Sequence, residues 1–204
     1  MITIIDYGLG NVLAFVNVYK RLNIPVAVAK SADDLTNATK LILPGVGSFD
    51  HAIEQFDQSG MRRTVEQLVL RQGMPVLGIC VGMQMLAESS DEGALPGLGW
   101  IEGKVKKFDV AKMPRGIYLP HMGWNDVKPV VDGSLFKGME LDARFYFLHS
   151  YYFECNQQAD VLAVTDYGGL FSCAARHGNV YGVQFHPEKS HHFGSQLLKN
   201  FAGV

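Results

Sequence analysis

The stretch PVLGICVGMQML, residues 75 to 86, runs apolar as far as a cysteine at position 80 and then turns polar and apolar at helical spacing. Gly78-Ile-Cys80-Val-Gly82 has the form G-x-nucleophile-x-G, a sharp strand-to-helix turn in which glycines relieve crowding between neighbouring backbone segments. A cysteine at a helix amino terminus meets unpaired N–H groups and the positive end of the helix dipole, which favour the thiolate. The same N–H groups, beginning with that of Val81, can donate to an oxyanion formed when a thiolate attacks a carbonyl. Gln84, one helical turn after Cys80, has an amide that can reach the same pocket. A buried cysteine closing a core strand explains the stretch equally well, so the motif alone leaves both readings open.

Working outward, the residues before the elbow repeat one unit. Ile2 to Ile5 is a β-branched run closed by Gly8-Leu-Gly10 and followed by a helical pattern through Leu13, Val16, Tyr19 and Lys20. Pro25 to Ala29 reads as a strand, Ser31-Ala-Asp-Asp34 as a helix start, and Lys40 to Leu43 as another strand before Pro44. Met61 to Arg71 reads as a helix with Val65, Leu68 and Val69 on one face, ended by Gly73 ahead of the strand Pro75 to Ile79. Continuous apolar strands alternating with amphipathic helices predict an α/β fold whose mostly parallel sheet is covered on both faces. Beyond Trp100 the texture changes to strands at Glu102 to Phe108, Arg144 to Glu154, Asp160 to Thr165, Leu170 to Ala175 and Val180 to Phe185. His177-Gly-Asn179 forms a hairpin connection, and a last helix spans Phe193 to Ala202. With no repeat, low-complexity tract or linker, a single domain over 1–204 with an antiparallel second half is expected.

Composition narrows the function. The chain has 204 residues, 48% of them hydrophobic, with 18 Lys and Arg against 20 Asp and Glu. A balanced charge gives no electrostatic footprint for nucleic acid or anionic lipid. MITIIDYG does not read as a signal peptide, and no apolar run approaches the roughly 20 residues of a membrane span, so a cytoplasmic protein is expected. Cys80, Cys155 and Cys173 are an odd number without paired metal-ligand spacing, which predicts neither disulfides nor a metal site.

A thiolate nucleophile needs a base. His186, in Gln184-Phe-His-Pro-Glu188, follows a strand-like run, and in extended backbone residues two apart point the same way, so Glu188 can orient the imidazole. The alternative is a strand-end histidine beside a solvated acid; the neighbouring elbow favours a Cys-His-Glu triad. His51, His177, His191 and His192 sit in turn-rich or exposed surroundings, whereas His121 and His149 follow strand ends and precede polar groups. Leu43-Pro-Gly-Val-Gly-Ser48 lacks the lysine and spacing of a nucleotide-binding loop. Its main-chain N–H groups at Gly45, Val46 and Gly47 suit a substrate carbonyl beside Cys80, completing the oxyanion hole, because parallel-sheet sites form at strand carboxyl ends.

GICVGMQ and QFHPEKS together resemble the class I, or triad, glutamine amidotransferases. IDYGLGN at 5 to 11, LPGVGSF at 43 to 49, PHMGWN at 120 to 125 and FLHSYY at 147 to 152 are similar to the glutaminase subunits of imidazole glycerol phosphate synthases. The resemblance covers nearly the whole chain and implies a flavodoxin-like fold and a cofactor-free, metal-free enzyme. It also implies catalysis by Cys80, His186 and Glu188, an oxyanion hole from Val46, Gly47 and Val81, and glutamine binding by Gly45, Gly47, Gln84, Glu92, Ser150 and Tyr151, with Glu92 toward the α-amino group. Position 81 is Val where the family more often has Leu, a change that leaves its backbone N–H intact. The resemblance further implies a separate (β/α)8 cyclase partner that takes the ammonia in histidine biosynthesis, with the PHMGWN and HSY segments, read as loops, at the mouth of the path. A cyclase-like partner in another amidation pathway and a stand-alone thiol hydrolase are the competing readings.

Overall fold

Strands buried along their whole length belong at the centre of a sheet covered on both faces, and the first half of the chain supplies them. The structure, a computed structural model, describes residues 1–130, 134–139 and 141–204. Strands β1 (Ile2–Ile5), β2 (Val26–Ala29), β3 (Lys40–Gly45) and β4 (Val76–Cys80) alternate with helices α1 (Val12–Arg21), α2 (Phe49–Gln58) and α3 (Arg62–Glu66). A short helix α4 (Val81–Gln84) follows directly on β4. The second half adds β5 (Ser89–Ser90), β6 (Gly103–Lys107), β7 (His121–Asp126), β8 (Lys128–Pro129), β9 (Arg144–His149) and β10 (Tyr151–Cys155). It closes with β11 (Val161–Asp166), β12 (Leu170–His177), β13 (Val180–Val183) and helix α5 (His191–Ala202).

The main sheet runs β2-β1-β3-β4-β13-β12-β10-β6-β5, with β11 against β12 and β8 against β11. From β2 to β13 every pairing is parallel. That portion has the 2-1-3-4-5 order of the flavodoxin-like doubly wound fold. Antiparallel strands β12, β10 and β6 extend it, as the change of texture after Trp100 predicts. The 177 to 179 hairpin is formed, pairing His177 with Val180. Fully buried Phe145 and Phe147 of β9 pack on Phe185, just past β13, the rings of Phe145 and Phe185 stacking 3.9 Å apart. Burying each such ring is worth about 1.5–3 kcal/mol.

Five expectations are corrected. α1 buries Val12, Phe15, Val18 and Tyr19 and leaves Leu13 71% exposed. Its apolar residues fall in two helical phases, and the phase carrying the large rings wins, with Tyr19 donating to the carbonyl of Leu198. Residues 31 to 34 open only a single 3₁₀ turn, Asp33–Leu35, and no α-helix: Asp34 Oδ2 accepts from the N–H groups of Lys30 and Ser31 and from the Ser31 hydroxyl. The helix after Met61 widens to a π-turn at Gln67–Arg71, where Asn179 draws off the carbonyls of Val69 and Met74. The run from Arg144 to Glu154 is two strands in two sheets, broken at Ser150. Among the described residues β9 pairs with β7 alone, in register from His121 opposite His149 to Asp126 opposite Arg144, whereas β10 pairs with β6 and β12. The PHMGWN segment is therefore a strand, not a loop. Among the described residues no helix is long and apolar enough to cross a membrane.

Candidate active site

Register brings the elements of the site together. Gly45 lies opposite Cys80 in the parallel pair β3–β4, and Val183 opposite Ile79 in β4–β13, so three neighbouring strands release their chains at one edge. The site thus sits at strand carboxyl ends, one step along from the β1–β3 switch point where such folds often bind ligands. Cys80 has φ 56° and ψ −115°, a conformation unusual for a side-chain-bearing residue. Strain of this kind costs about 1–3 kcal/mol and is held only by surroundings that over-determine it. The surroundings are close backbones: a Cβ at Gly82 would lie 2.0 Å from the carbonyl oxygen of Leu43, and one at Gly45 would lie 2.3 Å from the nitrogen of Gly82. α4 is one turn long, which makes its dipole small; local N–H groups at the turn, that of Val81 first, are what it offers an anion.

His186 and Glu188 are placed differently from the extended-strand expectation. The backbone turns after His186 into a tight 3₁₀ turn at Pro187–Lys189. That turn brings His186 Nδ1 to 2.9 Å from Glu188 Oε1, with the two side chains only 5% and 3% exposed. The Nδ1–H donates to the carboxylate, leaving Nε2 for the cysteine sulfur. Burial alone lowers the basicity of this imidazole, but hydrogen bonds and charge from Cys80 and then Glu188 outweigh it, pushing the pKa up to about 10. An imidazolium held between a sulfur and a carboxylate is the charged partner that nucleophilic thiolate chemistry uses. The backbone around it is pinned to β9: His186 N donates to Tyr146 O at 2.9 Å, and the Ser190 hydroxyl donates to His186 O while accepting from Tyr146 N.

A cavity of about 330 Å³ opens over the sulfur. Of the residues expected there, Val46, Gly47, Cys80, Val81, Gln84, Glu92, Ser150, Tyr151 and His186 line it. Gly45 lies beneath, packed on Gly82, and Glu188 lies behind His186 beside a second cavity. Gln84 is buried, with its amide nitrogen donating to Tyr151 O and to Gln184 Oε1, both at 3.1 Å. Glu92 Oε2 accepts from the first N–H of α2, at Phe49. The loop behind Glu92 is fastened by Asp50, whose two oxygens accept from Ala94 N and Leu95 N.

Sequence reading assigned no role to Gln184 or Tyr7. Gln184 is fully buried and its amide nitrogen lies 3.9 Å from Cys80 Sγ; its signal was period-two spacing with His186. The Tyr7 hydroxyl donates at 2.6 Å to the carbonyl of Pro44, at the root of the glycine loop. Burial, and then the charge at Cys80, pushes the Tyr7 phenol well above its ordinary pKa. Of the other histidines, His51 is on α2 rather than in a loop, His177 faces Asp160, and His191 stacks on Trp124. His121 and His149 are buried and hydrogen-bonded to each other.

Comparison with known proteins places the chain in a family. Residues 3–203 match the family described as glutamine amidotransferase class-I. The chain is 64% identical over 204 residues to the imidazole glycerol phosphate synthase subunit HisH of Bdellovibrio bacteriovorus and 51% identical to that of Leptospira interrogans, with all of both chains covered. A crystal structure of a glutamine amidotransferase superposes with a TM-score of 0.75 at 22% identity, covering 100% of this chain and 99% of the other. PurLQS from Thermotoga maritima superposes at 0.71 and 14%, covering 99% and 97%. The fold agrees with those two structures, and the sequence carries the finer placement: the chain belongs to the class-I glutamine amidotransferases, and within them to the HisH subunits of imidazole glycerol phosphate synthase.

Proposed function

We propose that this chain is the glutaminase half of a two-chain imidazole glycerol phosphate synthase, hydrolysing L-glutamine to glutamate and ammonia. The observation that carries the reading is the strained Cys80 set beside the buried His186–Glu188 pair, under a cavity with an acid, Glu92, on its wall. Cys80 attacks the side-chain amide carbon and the oxygen takes the negative charge, met by N–H groups of Val46, Gly47 and Val81. His186 gives its proton to the amide nitrogen, the C–N bond breaks and ammonia leaves a glutamyl thioester. Water then adds to the thioester, His186 takes its proton, and the C–S bond breaks to release glutamate. Glu188 fixes the imidazole tautomer, and Glu92 suits the α-amino group of the substrate, with Gln84, Gly45, Gly47, Ser150 and Tyr151 framing the rest.

The ammonia goes to a separate cyclase of the kind the HisH name implies, in histidine biosynthesis in the cytoplasm, with residues 1–204 acting as one domain. In support, Met122, Trp124 and Leu148 are large apolar side chains exposed on the β7–β9 sheet, at the rim of the cavity that Leu148 and Pro120 line. Replacing Cys80 by Ala is expected to cut glutamine hydrolysis by a factor on the order of 10⁴ or more while synthesis from free ammonia by the two-chain enzyme is unchanged. Equal loss of both activities would overturn the division of labour.

A further inference from the structure

A second pair of histidines, outside the triad, is buried where β7 faces β9. His121 is 2% and His149 6% exposed. Alternation along β7 turns His121 and Asn125 inward while Met122 and Trp124 face out. We propose that Asn125, His121 and His149 form a hydrogen-bond chain of one fixed direction that positions the Tyr151 carbonyl and, through it, the Gln84 amide. Both imidazoles then serve as neutral Nδ1–H positioning residues for the substrate cavity. The proposal rests on the reading that this cavity holds glutamine.

The direction follows from the two ends. At the outer end the Asn125 amide has one orientation, because its nitrogen lies 2.8 Å from the carbonyl of Asp166, which only accepts, and its oxygen lies 2.8 Å from the N–H of Asp126, which only donates. The same nitrogen is 3.2 Å from His121 Nε2, which must accept. The proton of a neutral His121 is then on Nδ1, 2.9 Å from His149 Nε2, which accepts in turn. At the inner end His149 Nδ1 is 2.7 Å from the carbonyl oxygen of Tyr151, which requires an N–H there. Both ends therefore assign the same tautomers independently. An added proton on His149 would set two N–H groups head to head with His121, and moving the conflict outward only transfers it to the Asn125 amide.

Surroundings agree with this. His121 is stacked between Tyr167, at 3.9 Å, and Phe147, at 4.5 Å. Burial lowers the pKa of His121 to about 4, and burial with the charges of His121 and His186 lowers that of His149 to about 3. The Tyr151 carbonyl at the end of the chain takes two donors, His149 Nδ1–H and the Gln84 amide nitrogen. Gln84 spends its other hydrogen on Gln184, whose nitrogen faces Cys80 Sγ. Both amide hydrogens of Gln84 are committed to protein, leaving its oxygen as the group it can offer a ligand. The docking-side sheet and the nucleophile are thus joined by one polar thread.

The test has a spectroscopic arm and a kinetic arm. In the full chain labelled with ¹⁵N-histidine, His121 and His149 are expected to be neutral with Nδ1 protonated at pH 7, against the Nε2–H form that free histidine prefers. An imidazolium or an Nε2–H tautomer at either position would overturn the proposal, and this measurement needs no variant to fold. With the cyclase bound, His149→Leu is expected to raise the KM for glutamine about tenfold with kcat within about threefold of the parent. His121→Leu should raise KM by a few-fold, and His121→Asn, whose amide nitrogen can donate where Nδ1–H did, should restore it. An unchanged KM in His149→Leu, or no rescue by Asn, would overturn it. Glutamine titrated into Cys80→Ala separates this from the reading beneath it. No binding there removes the glutamine site and the proposal with it, whereas binding that His149→Leu leaves unweakened in the Cys80→Ala background removes the proposal alone.

Discussion

The two sheets build their parts of the site by different means. At the top of the parallel sheet the backbone decides: Cys80 is aimed by strand register and by the closeness of Gly45, Gly82 and Leu43. In the β7–β9 sheet side chains decide, because a run of hydrogen bonds from Asn125 to Tyr151 holds the cavity wall. Backbone packing tolerates almost no added volume but is indifferent to pH, whereas a chain of neutral imidazoles is sensitive to protons and leaves its outward face available to a partner. The contrast separates rigid placement of a nucleophile from adjustable placement of a substrate wall.

Gly82→Ala tests the first half of the contrast most severely. Its Cβ would meet the Leu43 carbonyl, so β3 and α4 must part, and a loss of about 3 kcal/mol or more is expected. Met122→Ala on the outward face of β7 should stay within about 0.5 kcal/mol, and denaturant midpoints compare the two. If Gly82→Ala unfolds at the parent midpoint, the backbone account fails.

Acid tests the second half. His121 and His149 titrate at about 4 and about 3 in the folded chain, below the unfolded value of about 6.5. Between those limits the unfolded chain binds protons that the folded chain refuses, so stability falls as pH falls through the window, by on the order of 2 kcal/mol per pH unit for the pair. His186, protonated throughout in the folded chain, opposes this fall while the unfolded imidazole is still taking up its proton, above about pH 6, and adds no slope below that. Urea midpoints from pH 7 to 5 should drop less steeply in a His121→Leu, His149→Leu double variant; equal slopes would count against neutral histidines.

The smallest effect concerns strain at the nucleophile. Cys80→Gly and Cys80→Ala both lack the sulfur, yet glycine adopts φ 56° freely, so Cys80→Gly should be the more stable by about 1 kcal/mol. A Gly variant less stable than Ala would mean that the elbow is not strained.

The sequence made legible what depends on period and punctuation. Buried runs and glycines located β1, β3, β4 and the elbow, and Gln184-Phe-His-Pro-Glu188 carried the buried His186–Glu188 pair proposed as base and orienting acid. It did not disclose that Arg144 to Glu154 changes sheets at Ser150, because an unbroken apolar alternation carries no mark of the partner each strand will find. Nor did it assign work to Gln184 or Tyr7, since a buried amide or phenol acquires a role from what lies 3 or 4 Å away in space. His121 and His149 were singled out for supporting roles, but the fixed direction of their bonds needed the cross-strand register.

The closeness of Gly82 to Leu43 and of Gly45 to Gly82 has a consequence for descent as well as for chemistry. On the proposed mechanism, what makes Cys80 reactive is stored largely in atoms the chain omits, the methyls that glycine lacks, and in main-chain N–H groups that any residue other than proline would provide. Exposed Val46 can exchange its side chain while keeping its N–H, and buried Val81 can do so within the same volume, while the empty positions beside them are not free at all. A lineage of such enzymes would be recognisable less by the groups its members share around the sulfur than by the places where all of them leave room.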